Sequence, residues 1–157
     1  MTAVVTSIVY TPKSFGRKST DKYDRLAAER VELIANHGIQ GDKKAGGNPE
    51  RHLNIMTRET LDQLAREGFM TAPGQMGEQI VVSGLDMNAL NPGDRVQLGE
   101  SAVVQIVKPR TGCAKFRTVQ GHEPAEAVNR LGMMATVIAG GSIGVGDPVR
   151  VVVSEPA

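Results

Sequence analysis

The sequence predicts a mainly β fold, a closed or nearly closed β-barrel of about eight strands with two or three short helices. Short segments rich in Val and Ile recur along the chain, and Gly, Pro and Asp separate them, which is typical of strands joined by tight turns. Segment 102–107 carries apolar residues on both faces, as expected of a strand covered on both sides. Helical periodicity is confined to two short segments, so helices decorate the sheet.

Local patterns define the strands and the turns between them. Strands are predicted over residues 3–9, 30–34, 51–56, 79–82, 94–98, 102–107, 133–139 and 148–153. The strands 94–98 and 102–107 are expected to pair as a hairpin, because Gly99 opens the short connection between them. The glycine-rich segment 140–144 fits no phosphate-binding motif and is predicted as a turn.

Two helices and one long loop complete the prediction. Thr57 is expected to cap a helix over 58–67, because its hydroxyl can accept an N–H of the first turn. A second helix is predicted over 123–131, where Pro lies at a permitted position near the start. Residues 13–24 are polar and charged without periodicity, which indicates an exposed loop.

Length and composition limit the classes of protein to which the chain can belong. With 157 residues and 40% hydrophobic residues, a single domain over 1–157 is expected. Aromatic residues make up 3%, which argues against a surface that stacks single-stranded nucleic acid. The net charge of +1 predicts no general attraction to nucleic acid or to an acidic membrane.

The expected compartment is the cytoplasm. One cysteine cannot form an internal disulfide, so nothing indicates an oxidising environment. The first ten residues lack the basic and apolar regions of a secretory signal. No apolar run approaches the roughly 20 residues needed to cross a bilayer.

The strongest chemical signal surrounds the single cysteine, Cys113. Between Ser101 and His122 the sequence contains no Asp or Glu. The same stretch holds four cations, Lys108, Arg110, Lys115 and Arg117. Positive charges near a thiol favour the thiolate, which is the nucleophile and the metal ligand, and they also attract anions. The alternative remains that Cys113 is a small buried apolar residue and that the cations are ordinary solvated side chains.

Other residues contribute weaker signals. Arg51 and His52 follow a loop and are predicted to add positive charge to the site, while Glu78 is predicted to orient a cation there or to pair with one. The three histidines show no metal-binding spacing with one another or with Cys113.

Several segments together resemble the MOSC family, named for the C-terminal domain of molybdenum cofactor sulfurases. The matching segments are GIQGD (38–42), Arg51, GQMGEQI (74–80), GLDMNAL (84–90), NPGD (91–94) and PRTGC (109–113). The resemblance runs in order from residue 31 to residue 153. Two departures concern Gln79, where the family usually has Asn, and Lys43-Lys44, where a His often follows the Gly-Asp pair.

The resemblance implies a barrel of the MOSC type, similar to the pyruvate kinase barrel, with the cysteine as the key residue. Cys113 would be a persulfide carrier or a molybdenum ligand, and Arg51, Lys108, Arg110, Lys115 and Arg117 would hold the pterin phosphate of a molybdenum cofactor (molybdopterin) or the carboxylate of a sulfur donor. Such activity would be sulfurtransferase-like. Pyridoxal phosphate is not expected, because the sulfurase domain that binds it has no counterpart in this sequence.

The partners implied are a sulfur donor such as a cysteine desulfurase, or a molybdoenzyme. Two alternatives stay open. One is a molybdenum-dependent reductase of N-hydroxylated compounds that receives electrons from a partner protein. The other is a non-catalytic module that binds a small anion or a protein, and it predicts a thiol of ordinary reactivity.

Overall fold

The computed structural model describes residues 3–16 and 22–152. Its strands, numbered in chain order, are β1 (Ala3–Tyr10), β2 (Leu26–Ala27), β3 (Arg30–Ile34), β4 (Gly38–Ile39), β5 (Leu53–Thr57), β6 (Ile80–Ser83), β7 (Arg95–Leu98), β8 (Ala102–Pro109), β9 (Met133–Ala139), β10 (Gly141–Gly144) and β11 (Pro148–Val152). The α-helices are α1 (Arg58–Arg66) and α2 (Ala114–Gln120), and short 3-10 helices cover Lys13–Phe15, Pro49–Arg51, Met87–Ala89 and Pro124–Ala127. The described part of the chain is therefore mainly β with two α-helices.

The strands divide between two sheets. Eight of them form a mixed sheet in the order β11-β7-β8-β9-β5-β6-β1-β2, in which β5 and β6 run parallel and the other neighbours antiparallel. Two residue pairs, Ala3 with Val149 and Val4 with Pro148, also join β1 to β11. The remaining strands form a small sheet in the order β10-β3-β4.

The prediction of one closed or nearly closed barrel of about eight strands was wrong. Within the described residues, the larger sheet ends on β2, a two-residue edge strand that pairs with β1, and three further strands belong to a separate sheet. Val- and Ile-rich segments indicate that strands exist. They do not specify partners, because strand pairing depends on contacts between residues far apart in sequence.

Most predicted elements are confirmed. The strands expected over 30–34 and 133–139 are β3 and β9. The hairpin of β7 and β8 forms across the turn at Gly99. Helix α1 begins after Thr57, whose hydroxyl oxygen accepts the backbone N–H of Thr60 at 3.2 Å. In the predicted loop 13–24, Lys13–Phe15 is an exposed 3-10 helix, and residues 17–21 lie outside the described residues, as does the end of the predicted strand 148–153.

The helix predicted over 123–131 is only a 3-10 helix, Pro124–Ala127. Val128 leaves the helical conformation with ψ 136°, and Asn129 follows with φ 63°. Conversely, the segment after Cys113, for which no helix was predicted, forms α2, which ends at Gly121 in the left-handed conformation (φ 70°).

The glycine-rich turn predicted over 140–144 is instead strand β10, which pairs antiparallel with β3. A Cβ atom at Gly140 would lie 2.7 Å from the carbonyl oxygen of Leu33. Glycine is needed there because the two backbones approach so closely. Glycine-rich sequences are typical both of turns and of closely paired strands, so the sequence of this segment does not distinguish the two.

Two apolar clusters hold the fold together. The larger lies within the sheets and is built from aliphatic side chains such as Ile55 and Val104. The second joins α1 and α2 to the other face of the sheet, and includes Leu64 of α1, Phe116 of α2 and Met56 of β5. Because Phe116 is fully buried, the segment that carries Cys113 is anchored to the core.

No helix within the described residues is long and apolar enough to cross a bilayer.

The second cluster predicts a difference between two neighbouring substitutions in α1. Leu64→Ala should lower the free energy of unfolding by about 2–5 kcal/mol, because Leu64 is fully buried and its removal leaves a cavity. Gln63→Ala, on the exposed face, should change it by no more than about 0.5 kcal/mol. Urea denaturation measures both, and equal effects would contradict this packing.

Candidate functional site: a cationic pocket at Cys113

A cavity of about 280 Å³ opens beside the segment that links β8 to α2. Its lining residues are Tyr23, Arg25, Lys43, Lys44, Gly47, Asn48, Arg51, Arg110, Cys113, Lys115 and Met134. Six of these are Lys or Arg, and no carboxylate occurs among the described residues that line the cavity. In a chain with a net charge of +1, this is a local concentration of positive charge.

Cys113 reaches this cavity from a segment fixed at both ends. After β8, the backbone N–H of Arg110 donates to the carbonyl of Gly132 at 2.9 Å. Cys113 then adopts an extended conformation (φ −136°, ψ 179°) at the N-cap of α2, whose Phe116 is buried. The Cys113 side chain is exposed, so the sulfur is not sealed among aliphatic residues.

The surroundings lower the pKa of the Cys113 thiol. Partial burial is the largest single effect and raises it. The backbone N–H groups of Phe116 and Lys115 and the charges of Arg110 and Arg51 act in the opposite direction and together outweigh burial. The thiolate, which is the nucleophile and the metal ligand, therefore forms at a lower pH than in an ordinary cysteine.

Arg110 is fixed beside Cys113 by uncharged partners. Its Nη1 donates to the carbonyl of Met76, and its Nη2 donates to the Tyr23 hydroxyl at 3.0 Å. Its guanidinium carbon also lies 5.9 Å from the ring centre of Phe116. Burial raises the pKa of Tyr23 although Arg110 opposes this, so the phenol stays protonated at neutral pH and can donate a hydrogen bond.

Arg25 and Lys115 extend the same wall. Arg25 donates from Nη1 to the hydroxyl of Thr11 at 2.8 Å and from Nη2 to the carbonyl of Gly77 at 3.3 Å. The Nζ atom of Lys115 lies 4.9 Å from the ring centre of Tyr23, within the range of a cation–π contact. This wall therefore combines three cations with one aromatic ring.

A second group of lining residues comes from the segment between β4 and β5. Lys43, Lys44, Asn48 and Arg51 line the cavity there. The side chain of Asn48 accepts the backbone N–H of Glu50 at 3.0 Å and so caps the 3-10 helix that ends at Arg51. The fold thus brings Lys43 and Lys44 to the same cavity as Arg110, which lies more than 60 residues further along the chain.

Four of the eight residues predicted for the site line this cavity: Cys113, Arg51, Arg110 and Lys115. The cations Lys108 and Arg117 are outside its lining. Lys108 lies 3.7 Å from a carboxylate oxygen of Glu50, and Arg117 lies 2.8 Å from one of Glu123. The segment around Cys113 therefore lacks Asp and Glu in its sequence, but in space Glu50 and Glu123 lie next to two of its cations.

The remaining two predicted residues, His52 and Glu78, are fully buried and do not line the cavity. The Nδ1 atom of His52 lies 3.2 Å from the backbone N–H of Val137, which donates to it. Glu78 accepts the backbone N–H groups of Gly74 and Met76 at 2.7 and 3.2 Å. Both side chains hold backbone segments in place.

Sequence reasoning missed Tyr23, Arg25, Lys43, Lys44 and Asn48. The first was assigned to the loop 13–24, and the two lysines were noted only as a departure from the family pattern. A signal was present, because Lys43 and Lys44 directly follow the Gly-Asp turn of the matching segment 38–42. Their distance from Cys113 in sequence gave no way to place them beside it.

A larger cavity of about 440 Å³ lies next to α1, lined by residues such as Glu59, Thr60 and Asp86. The described residues that line it include neither a thiol nor a cation. We place the candidate site at the smaller cavity because a polarised nucleophile and charges that bind anions meet there.

These features define a class of protein: a mainly β domain in which a cysteine, on the segment between a strand and a helix, opens into a cationic pocket. The chain belongs to the MOSC domain family, which matches residues 42–150. That match includes the pocket residues from Lys43 to Met134, but not Tyr23 or Arg25. The family is known for functions related to the molybdenum cofactor.

Solved structures show the same fold. YiiM from Escherichia coli is 24% identical with a TM-score of 0.68, and the match covers 98% of this chain and 72% of that one. The YuaD protein from Bacillus subtilis is 19% identical with a TM-score of 0.71, with 95% and 94% covered. YiiM from Geobacillus stearothermophilus is 19% identical with a TM-score of 0.68, with 96% and 73% covered. A comparison with curated protein sequences finds no match.

The electrostatic origin of the Cys113 pKa predicts a contrast between two exposed cations. Arg51→Gln should raise the pKa of the thiol, because the charge of Arg51 favours the thiolate. Alkylation by iodoacetamide near neutral pH should slow about two- to five-fold. Lys108→Gln, a cation outside the pocket, is the matched control and should leave the pH profile of alkylation unchanged. An identical shift in both variants would contradict the assignment.

Buried His52 predicts acid sensitivity. Burial lowers the pKa of His52, with a smaller effect from His37, so the unfolded chain binds the proton more readily. Its contribution to stability is therefore present above the unfolded pKa of about 6.5 and is lost as the pH falls below it. Between about pH 7.5 and pH 5.5, His52→Gln should show a smaller loss of unfolding free energy than the wild type. Equal losses in urea denaturation would rule out this origin.

Proposed function

We propose that this MOSC domain handles molybdenum-cofactor or sulfur chemistry at Cys113, with the thiolate as persulfide carrier or molybdenum ligand. One observation carries the proposal: an exposed thiol of lowered pKa opens into a cavity with six cations and no carboxylate in its described lining. Such a cavity favours a ligand with several negative charges. Membership of the family supports the same class of ligand.

The residues present fit a molybdenum cofactor. A thiolate is a soft ligand suited to a metal that already carries sulfur ligands, and Lys and Arg suit the phosphate of the pterin. Among the described residues, no three His, Cys, Asp or Glu converge as metal ligands. Among the described residues that line the pocket, Cys113 alone is a His, Cys, Asp or Glu, and a cofactor that brings its own ligands matches this better than a bare ion. When bound, such a cofactor would supply the redox chemistry of its metal.

The chain's own residues would bind and orient the ligand. Arg110 and Arg25, whose guanidinium groups donate to neutral acceptors, would provide part of the positive charge, and Lys43, Lys44 and Arg51 would add to it. The Tyr23 hydroxyl already accepts a hydrogen bond from Arg110, so its proton is available to an anion in the cavity. Sulfur carriage needs only the thiol and a donor.

In that reaction the Cys113 thiolate would attack the terminal sulfur of a persulfide on a donor such as a cysteine desulfurase. A new S–S bond forms at Cys113, the S–S bond of the donor breaks, and the donor cysteine leaves as a thiolate with the bonding electron pair. Charge and electrons balance without an added oxidant. The exposure of Cys113 favours this route, because a protein donor must reach the sulfur.

Native mass spectrometry of protein from molybdenum-replete cells tests the proposal. We expect the wild type to carry the mass of one extra sulfur atom or of a pterin cofactor with molybdenum. Cys113→Ser should lose that mass, and Ser is a residue type that is favoured at a helix N-cap, the position that Cys113 occupies in α2.

Lys108→Gln is the control and should retain the added mass, because Lys108 lies outside the pocket. A wild type without any added mass, even after incubation with a persulfide donor or with cofactor, would refute the proposal. Retention of the mass by Cys113→Ser would show that another residue holds it. An added pterin with molybdenum, together with turnover of an N-hydroxylated compound, would favour the reductase over sulfur carriage.

A further inference from the structure

The loop 74–78, with the sequence GQMGE, belongs to the segments that resemble the family, yet none of its residues lines the pocket. It nevertheless contacts both arginines on one wall of the pocket. The carbonyl of Met76 accepts a hydrogen bond from Arg110, and the carbonyl of Gly77 accepts one from Arg25. The loop therefore lies directly behind the cations.

Glu78 closes this loop on itself. Its side chain is fully buried, and its two carboxylate oxygens accept the N–H groups of Gly74 at 2.7 Å and Met76 at 3.2 Å. The N–H of Gly77 also donates to the carbonyl of Gly74 at 3.0 Å. With its N–H groups turned inward to Glu78, the loop directs the carbonyls of Met76 and Gly77 toward the arginines.

The two glycines make room for the same arginines. A Cβ atom at Gly77 would lie 2.6 Å from Nη2 of Arg110, and one at Gly74 would lie 2.5 Å from Cγ of Arg25. Both glycines also have φ of +84°, a conformation that residues with a side chain rarely adopt. The lack of a side chain at both glycines thus leaves room for the two arginines that hydrogen-bond to the loop.

We propose that the loop 74–78 is an arginine-positioning element, in which Glu78 acts through the carbonyls of Met76 and Gly77 on Arg110 and Arg25. Glu78 is a positioning residue, because it is fully buried and is not among the residues that line the pocket. The proposal rests on the proposed function only in taking Cys113 as the working group of the site.

The chemistry of the acceptors explains why the loop is built this way. A carboxylate beside Arg110 would hold it in place but would also offset its charge. A neutral carbonyl fixes the guanidinium and leaves its charge to act on the thiolate and on a bound anion. The carboxylate of Glu78 accepts backbone N–H groups of the loop, and its charge also raises the pKa of Arg25, while neutral carbonyls accept the hydrogen bonds of the two arginines.

Gly77→Ala tests the shape of the element. The added methyl group should displace the Arg110 guanidinium, move the pH profile of Cys113 alkylation to higher pH and slow alkylation near neutral pH about two- to ten-fold. Gly93→Ala is the matched control, because Gly93 has a similar φ of +94° and nothing within 4 Å of an added Cβ. A shift of equal size in both variants, or none in Gly77→Ala, would overturn the proposal.

Glu78→Gln tests the route of action. Direct electrostatic influence of Glu78 on Cys113 predicts that removing its charge lowers the pKa of the thiol, whereas loss of positioning predicts a rise. Measured again in the Arg110→Gln background, the effect of Glu78→Gln should disappear, because its intermediary is gone. A lowered or unchanged pKa, or an effect that persists without Arg110, would overturn the positioning role. Circular dichroism spectra would show whether each variant is folded.

The readout separates this proposal from the proposed function. Alkylation reports the pKa of Cys113 in protein without any cofactor or persulfide. A wild type that binds neither would refute the function and leave the positioning element intact. If the wild type binds a cofactor or a persulfide but alkylation is unaffected by Gly77→Ala and Glu78→Gln, the proposed function stands and the positioning element is refuted.

Discussion

The guanidinium of Arg110 lies between the carbonyl of Met76, the hydroxyl of Tyr23 and the ring of Phe116, and all three partners are uncharged. The pocket depends on this arrangement. A cation held by a neutral partner keeps its full electrostatic effect on its surroundings, whereas one held in an ion pair loses much of it. Lys108 shows the second case, since it lies near Glu50 and outside the pocket.

The fold supplies the rigidity that this arrangement needs. Phe116 is buried in the cluster that joins both helices to the sheet, so α2 cannot move without disturbing the core. On the other side of Cys113, a Cβ at Gly112 would lie 2.5 Å from Cβ of Pro124, which shows how closely the two segments pack. The sulfur is exposed, but the backbone that carries it is fixed.

The described lining of the pocket holds six cations and no carboxylate, so these cations repel one another. Burial is the main cause of the lowered pKa of Arg25. The charges of Asp42 and Glu78 oppose it, and the charge of Arg110 adds a smaller lowering. A bound anion relieves such repulsion, so the pocket favours ligands with several negative charges over neutral ones. Because the net charge of the chain is only +1, this preference comes from the local charge of the pocket.

Local chemistry made the elements predictable. Residues 30–34 and 133–139 were identifiable as strands, because side-chain alternation is a property of the segment itself. Thr57 was identifiable as a helix cap for the same reason, and Cys113 stood out because its cations are its sequence neighbours. The ordered segments from 38–42 to 109–113 also sufficed to indicate the family, which the match over 42–150 establishes.

Strand partners and pocket membership required the tertiary structure, because both depend on contacts between distant residues. The barrel prediction failed on strand pairing, and the glycine-rich segment 141–144 became β10 only because β3 lies against it. Tyr23 and Arg25 reach Arg110 and Gly77 across 87 and 52 residues. A charged residue close to Cys113 in sequence does not necessarily face it in space, because the direction of the backbone decides where the side chain lies. Arg117 is an example, since its side chain forms an ion pair with Glu123.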